Sequence, residues 1–250
     1  SDDNMISNNT CLGNPNAGVM VYQSLGNEVV NNTLGGNGNG IRTDDSDHGL
    51  ISGNEIHDNY NGMYLYHSDG NQIIGNNCTS AGLYYSYTVG IMMDYCLSND
   101  LINNECNHNA IGMHIKNSDL NIISNNNCDQ NSYDLGIGIK IDGSYQNRIS
   151  NNSCSYNSVG INGIYSDENE IIGNNCSDNI QCGINFYLGS SDNVISHNIC
   201  NSNQYGMWLS AVVDSAVLNN TCNDNLHVGI FIEYRSKNNL ISNNTIINNG

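Results

Sequence analysis

The sequence predicts an all-β chain wound as a single-stranded right-handed parallel β-helix solenoid of about eleven coils, each of ~22 residues. Three observations predict it. An asparagine returns at Asn9, Asn32, Asn54, Asn76, Asn104, Asn126, Asn152, Asn174, Asn198, Asn220 and Asn244, a spacing near 22 that stretches to at most 28. The intervals hold short bursts of Val, Ile, Tyr and Thr, and long 3.6-periodic stretches with caps are absent. A coil of about 22 residues, each rising roughly 3.3 Å, has the length of three short strands and three turns stacked about 4.8 Å apart. The right hand follows from the usual chirality of parallel crossovers.

Each coil opens on a motif close to N-x-[IVL]-x-x-N-x-[CIL]-x-x-N, beginning at residues 4, 27, 49, 71, 99, 121, 147, 169, 193, 215 and 239. Its first strand supplies an inward aliphatic column running from Ile6, Val29 and Ile51 to Val217 and Ile241. The Asn ladder comes next. Asn tolerates the left-handed backbone of a corner, and in a stack each amide can bond to its copy in the next coil. Two residues on runs a second inward column, Cys11, Leu34, Ile56, Cys78, Cys106, Cys128, Cys154, Cys176, Cys200, Cys222 and Ile246. A third Asn column follows, broken only by Ala81. The last strand begins at a glycine and an apolar residue, as in Gly62-Met63, Gly112-Met113, Gly138-Ile139 and Gly206-Met207, with the glycines read as corners needing unusual dihedrals or close approach.

Composition narrows the function. A net charge of −18 with only six Lys and Arg argues against nucleic acid and anionic membrane surfaces as partners. No apolar run approaches the roughly 18 residues of a membrane span. The chain starts in mid-pattern at Ser1, so residues 1–250 are read as one β-helix domain within a longer surface or secreted protein. Seven N-x-[ST] sequons are compatible with secretion, although the repeat itself generates them. The ten cysteines show no C-x-x-C and no Cys/His cluster. They read as buried thiols, with coil-to-coil disulfides such as Cys106 to Cys128 left open by the stacking distance. Cys96 and Cys182 fall outside the column without explanation. No metal site or cofactor is expected, with a divalent cation such as calcium left open.

Segments such as Asn169-Glu-Ile-Ile-Gly-Asn-Asn-Cys176 and Asn147-Arg-Ile-Ser-Asn-Asn-Ser-Cys154 resemble the right-handed parallel β-helix repeats grouped as NosD-like or carbohydrate-binding and sugar-hydrolase domains, over essentially the whole chain. The Asn/Ser/Cys-rich style is also similar to surface proteins of methanogenic archaea, including disaggregatases that degrade envelope polysaccharide. The resemblance implies an extracellular or cell-surface protein that meets a polysaccharide. It also raises NosD-like copper-site maturation, against which His67 and His114 lie two coils apart with no accompanying Met/His cluster.

Candidate site residues come from where the repeat is broken. Two insertions precede opening glycines: 79–89, carrying Tyr84, Tyr85 and Tyr87, and 132–137, carrying Tyr133 and Asp134. The adjacent last strand has a first outward column of Met20, Arg42, Tyr64, Met92, His114, Lys140, Asn162, Asn185, Trp208 and Phe231. A second contains Asp44, Tyr66, Asp94, Lys116 and Asp142, and the strand edge adds Asp45, His67, Tyr95 and Tyr165. Half of the basic residues fall in this strip, among tyrosines that offer apolar faces to sugars. The expected substrate-binding residues are Arg42, Tyr64, Tyr66, His67, Tyr84, Tyr85, Tyr87, Tyr95, Tyr133 and Lys140. Asp44, Asp94, His114, Lys116 and Asp142 are the candidate catalytic groups.

Two chemistries fit. Asp44 and Asp94, two coils or roughly 10 Å apart, have the spacing of an inverting glycoside hydrolase. A lyase or epimerase acting on uronic acids instead needs a base for the C5 proton and a cation for the resulting anion, roles open to Lys116, Lys140, His114 and Tyr66. The other reading is a non-catalytic carbohydrate-binding, adhesive or structural module, in which Asp94, Lys116 and Asp142 form a surface ion-pair ladder. The uncapped chain ends then invite end-to-end stacking or homo-oligomers.

Overall fold

A computed structural model describes residues 1–79, 88–131 and 136–250. Tyr84, Tyr85, Tyr87, Tyr133 and Asp134 lie outside the described residues. The expected three faces are present, and every strand pairing is parallel and in coil register. The first face is an eleven-stranded sheet of three-residue strands, from Met5–Ser7 to Leu240–Ser242. The second has four short strands, Thr10–Leu12, Thr33–Gly35, Glu55–His57 and Asn77–Cys78, and continues as single bridges from Asn77↔Glu105 to Thr221↔Thr245. The third is a ten-stranded sheet in strict coil order, from Ala17–Leu25 to Val228–Glu233. No helix occurs among the described residues.

The inward columns build the core. Ile51, Ile73, Leu101, Ile123, Ile149 and Ile171 stack beneath the first face, and Cys78 to Cys222 stack beneath the second, all at most 2 % exposed. All the cysteines are free thiols, buried except for the half-buried Cys11.

The Asn ladder is buried as well, and amide pairing makes that tolerable. Asn126 donates Nδ2–H to Asn152 Oδ1 (3.0 Å) and to Leu101 O (2.9 Å). Its Oδ1 accepts from the backbone N–H of Asn104 (2.8 Å) and from Asn104 Nδ2 (3.1 Å). The same set recurs coil after coil.

Two local expectations need correction. The left-handed residue at each corner is the one before the ladder Asn: Asn31, Asn103, Asn125 and Asn151 have φ of 55–56°, and Gly53 and Gly173 fill the same place. The ladder Asn is thereby turned inward, where its amide spans neighbouring coils. The opening glycines are likewise not corners. They sit inside the third-face strands with ordinary φ and allow close approach, since a Cβ on Gly90 would lie 2.5 Å from Gly112 O and 3.0 Å from Cys106 Cβ.

The structure also accounts for the two stray cysteines. Cys96 occupies a buried serine column, Ser46, Ser68, Cys96, Ser118 and Ser144, in which backbone N–H groups donate to the Oγ of the next coil, Cys96 N to Ser118 at 2.9 Å among them. Cys182 belongs to a buried apolar ribbon, separate from the main core, made of the first residues of the third-face strands, Val89, Ile111, Ile137 and Val159 among them.

Candidate functional site on the third face

Strand alternation sends Ile41 and Thr43 inward and Arg42 and Asp44 outward. The pairing register then stacks Arg42, Tyr64, Met92, His114 and Lys140 in one column and Asp44, Tyr66, Asp94, Lys116 and Asp142 in the next. Both predicted columns are therefore real.

Within them the charges pair. Arg42 grips Asp44 on its own strand, Nη2 to Oδ2 at 2.8 Å and Nε to Oδ1 at 2.9 Å, and its guanidinium lies 5.4 Å from the centre of the Tyr64 ring. Lys116 Nζ reaches Asp94 Oδ2 at 3.2 Å across one coil, and Asn117 Nδ2 approaches the other oxygen at 3.3 Å. Lys140 Nζ meets Asp142 Oδ2 at 3.0 Å. Asp44 and Asp94 are both buried, and Tyr66 stands between them in the register. Burial, with the Asp94 charge adding to it, pushes the Tyr64 phenol above its ordinary value.

His114 differs from its neighbours. It is only 4 % exposed, neither ring nitrogen has a hydrogen-bond partner, and Nε2 stands 3.7 Å from Asp142 Oδ2, beyond hydrogen-bond length. Burial lowers its pKa below 6.5, and Lys140 and Lys116 act in the same direction against Asp142. The imidazole is therefore neutral at pH 7 and keeps a lone pair. Asp142, between the His114 ring and the Lys140 ammonium, is held below the usual carboxylate range.

The strand-edge residues Asp45, His67, Tyr95 and Tyr165 all take left-handed backbone, φ 45–57°, and close the third face. His67 stacks on Tyr95 with ring centres 5.2 Å apart and meets Tyr66 edge-on at 4.3 Å. Beside them Asp45, Asp47, Asp69, Leu97, Asn117 and Asp119 complete an open depression of about 480 Å³. A second, of about 380 Å³, lies over Arg42, Tyr60, Asn61 and Tyr64.

Two family models match the sequence: "Right handed beta helix region" over residues 135–250 and "Periplasmic copper-binding protein (NosD)" over residues 1–81. The chain is a right-handed β-helix repeat protein. No curated protein matches it by sequence. Among solved structures this β-helix protein is similar to a mutant of the periplasmic alginate epimerase AlgG (TM-score 0.66, 15 % identity, covering 91 % of this chain and 62 % of that one). It is similar also to the Dettilon tailspike protein (TM-score 0.76, 15 % identity, 98 % and 56 %). A third is the A-module of the mannuronan C-5 epimerase AlgE6 from Azotobacter vinelandii (TM-score 0.64, 12 % identity, 98 % and 79 %). At such identities the likeness is one of fold, and the β-helix spans less than two thirds of the first two proteins.

Among the described residues no three His, Cys, Asp or Glu side chains converge on a metal-sized site. Sequence reasoning named the strip but missed three features of the β-helix: the Asn117 contact to Asp94, the desolvation of His114, and an aromatic group at Tyr205, Trp208 and Phe231. Only the last left a signal, the sole Trp of the chain in an outward column.

Proposed function

We propose that this β-helix protein works outside the cytoplasm on an acidic polysaccharide laid across the third face, and that it removes the C5 proton of a uronate unit. The observation that carries this reading is His114, a buried neutral imidazole whose nitrogens lack hydrogen-bond partners, with Lys140 beside it in the same outward column and Lys116 two residues along its own strand. A neutral imidazole whose buried nitrogens are uncovered on binding can accept the C5 proton, and the electron pair left on carbon passes into the adjacent carboxylate, which Lys116 and Lys140 neutralise by exchanging Asp94 and Asp142 for it. The resulting anion either expels the C4 glycosidic oxygen, which takes the proton back from the His114 imidazolium and leaves an unsaturated sugar, or regains a proton from water on the opposite face, giving the C5 epimer. The similar alginate and mannuronan epimerases support a uronate substrate, and the periplasmic NosD family and the periplasmic alginate epimerase support the location.

The hydrolase chemistry finds less support. Asp44 is gripped by Arg42 and Asp94 by Lys116 and Asn117, so either would have to leave its partners to deliver a proton. The same pairing favours a second reading, a binding module whose charges are satisfied among themselves. Incubating the protein with polymannuronate in D2O decides between these readings. Deuterium at C5 or absorbance from unsaturated uronate, reduced at least a hundredfold in His114→Gln, is expected for proton abstraction at ~10²–10⁴-fold per general base. New reducing ends without either signal mean hydrolysis, and binding without turnover means the module.

A further inference from the structure

Three coils beyond Lys140 in the first outward column, after Asn162 and Asn185, stands Trp208. At coil spacing this is about 14 Å from the charged strip. The indole is half-buried and held in place. Nε1–H donates to Glu233 Oε1 at 3.0 Å, the Tyr205 ring packs at 5.0 Å, and the Phe231 ring lies 5.7 Å from both. The buried apolar ribbon running from Val89 to Cys182 packs against Tyr205 and Trp208 from behind. In front of the indole lies a small cleft of about 160 Å³ lined by Asn185, Tyr187, Trp208, Ser210 and Glu233.

We infer that this cleft is a second sugar site, taking a neutral pyranose unit of the polymer whose acidic unit occupies the strip. The inference rests on the proposed function's premise that the third face carries a polysaccharide whose acidic unit occupies the strip, and not on its chemistry there. A pyranose has an apolar C–H face and a rim of hydroxyls, and the cleft offers an aromatic wall with an amide, two hydroxyls and a carboxylate around it. The indole is already fixed by Glu233 and Tyr205, so ordering it on binding costs little. The sign of the charge selects the unit. Glu233 accepts hydroxyl hydrogens and repels a carboxylate; Arg42, Lys116 and Lys140 lie in earlier coils of the face, and Arg235, just past Glu233, lies over the Tyr234 ring at 5.1 Å rather than in the cleft lining. Cations able to exchange their aspartates for a substrate carboxylate stand in the strip and none lines the cleft, which makes the substrate a heteropolymer carrying both kinds of sugar.

Because Trp208 is the sole Trp of the chain, its emission reports this cleft and nothing else. The protein is titrated with cellohexaose, with a hexasaccharide alternating glucuronate and N-acetylglucosamine, and with a mannuronate hexamer. A saturable change in emission with the first two and none with the third is expected, and Tyr187→Ala should weaken the response about tenfold. Calorimetry on Trp208→Phe, folded by circular dichroism, should show a similar loss for the alternating hexasaccharide. Emission that ignores all three sugars, or answers the mannuronate hexamer alone, overturns the assignment. So does emission that shifts with protein concentration in the absence of sugar, which would make the cluster a contact between copies. The two proposals fail separately. A Trp208 response in a protein without turnover leaves this site standing, whereas turnover with silent emission and an unchanged KM in Trp208→Phe removes it alone.

Discussion

His114 shows what a single side chain gains from its position in a stack. The same imidazole on an open loop would be solvated and half protonated near pH 6.5, whereas here burial and two lysines disfavour the charged form. As the pH falls, the unfolded chain binds that proton before the native one does, so stability is full above pH 6.5 and declines toward the lower folded value. Asp142 acts in the same direction lower down, since a carboxylate held below its usual range contributes stability above about pH 4 that is lost as the pH falls through its folded value. The thermal midpoint should therefore drop between pH 7 and pH 5, and His114→Gln should flatten that part of the curve. A midpoint difference between wild type and His114→Gln that does not change between pH 7 and pH 5 would overturn this reading of His114.

At the scale of the coil, the repeat works because each buried polar group is answered by its copy. Replacing Asn126 with Ala removes the amide bonds to Leu101 O and Asn152 Oδ1 and leaves Asn104 N without its acceptor, while the backbone N–H of residue 126 still donates to Asn152 Oδ1. The expected loss in chemical unfolding is about 1–3 kcal/mol. Gly90→Ala tests close approach. Its Cβ meets a backbone carbonyl at 2.5 Å, so roughly 3 kcal/mol should be lost. Gly75→Ala, with φ +63° and open space around it, should cost only the left-handed penalty of about 1–2 kcal/mol. Equal costs at the two sites would overturn the distinction between packing and conformation. The coil was legible because its period repeats eleven times, and in-register parallel pairing turns sequence period directly into columns such as Arg42 to Lys140. The left-handed residue before each Asn was not, because Asn31 and Asn32 are the same residue type and only backbone geometry tells them apart. The serine column escaped notice because a hydroxyl bonding to the next coil's backbone leaves no hydrophobic signature. His114 gave its outward position to the sequence reading, but its loss of solvent depends on neighbours from other coils.

Over the whole molecule, charge poses a question that no single contact answers. The chain carries a net −18, yet its proposed substrate is acidic. Three of the six basic residues lie in the strip, but Arg42, Lys116 and Lys140 are each matched by Asp44, Asp94 and Asp142, so the strip is close to neutral as a whole. A polyuronate approaching from a distance therefore meets repulsion, and attraction begins only when its carboxylates compete with the three aspartates at contact range. Salt separates the two effects, because charges farther apart than a Debye length, ~8 Å at physiological ionic strength, are screened before partly buried neighbours are. The association rate for a uronate polymer should consequently rise as ionic strength increases from about 0.01 to 0.15 M, the reverse of a cationic groove that steers its ligand. Stopped-flow mixing with a labelled polyuronate reads this slope directly. A rate that falls with salt would mean that the lysines and the arginine face the solvent as free charges, with the ion pairs open in the unliganded protein.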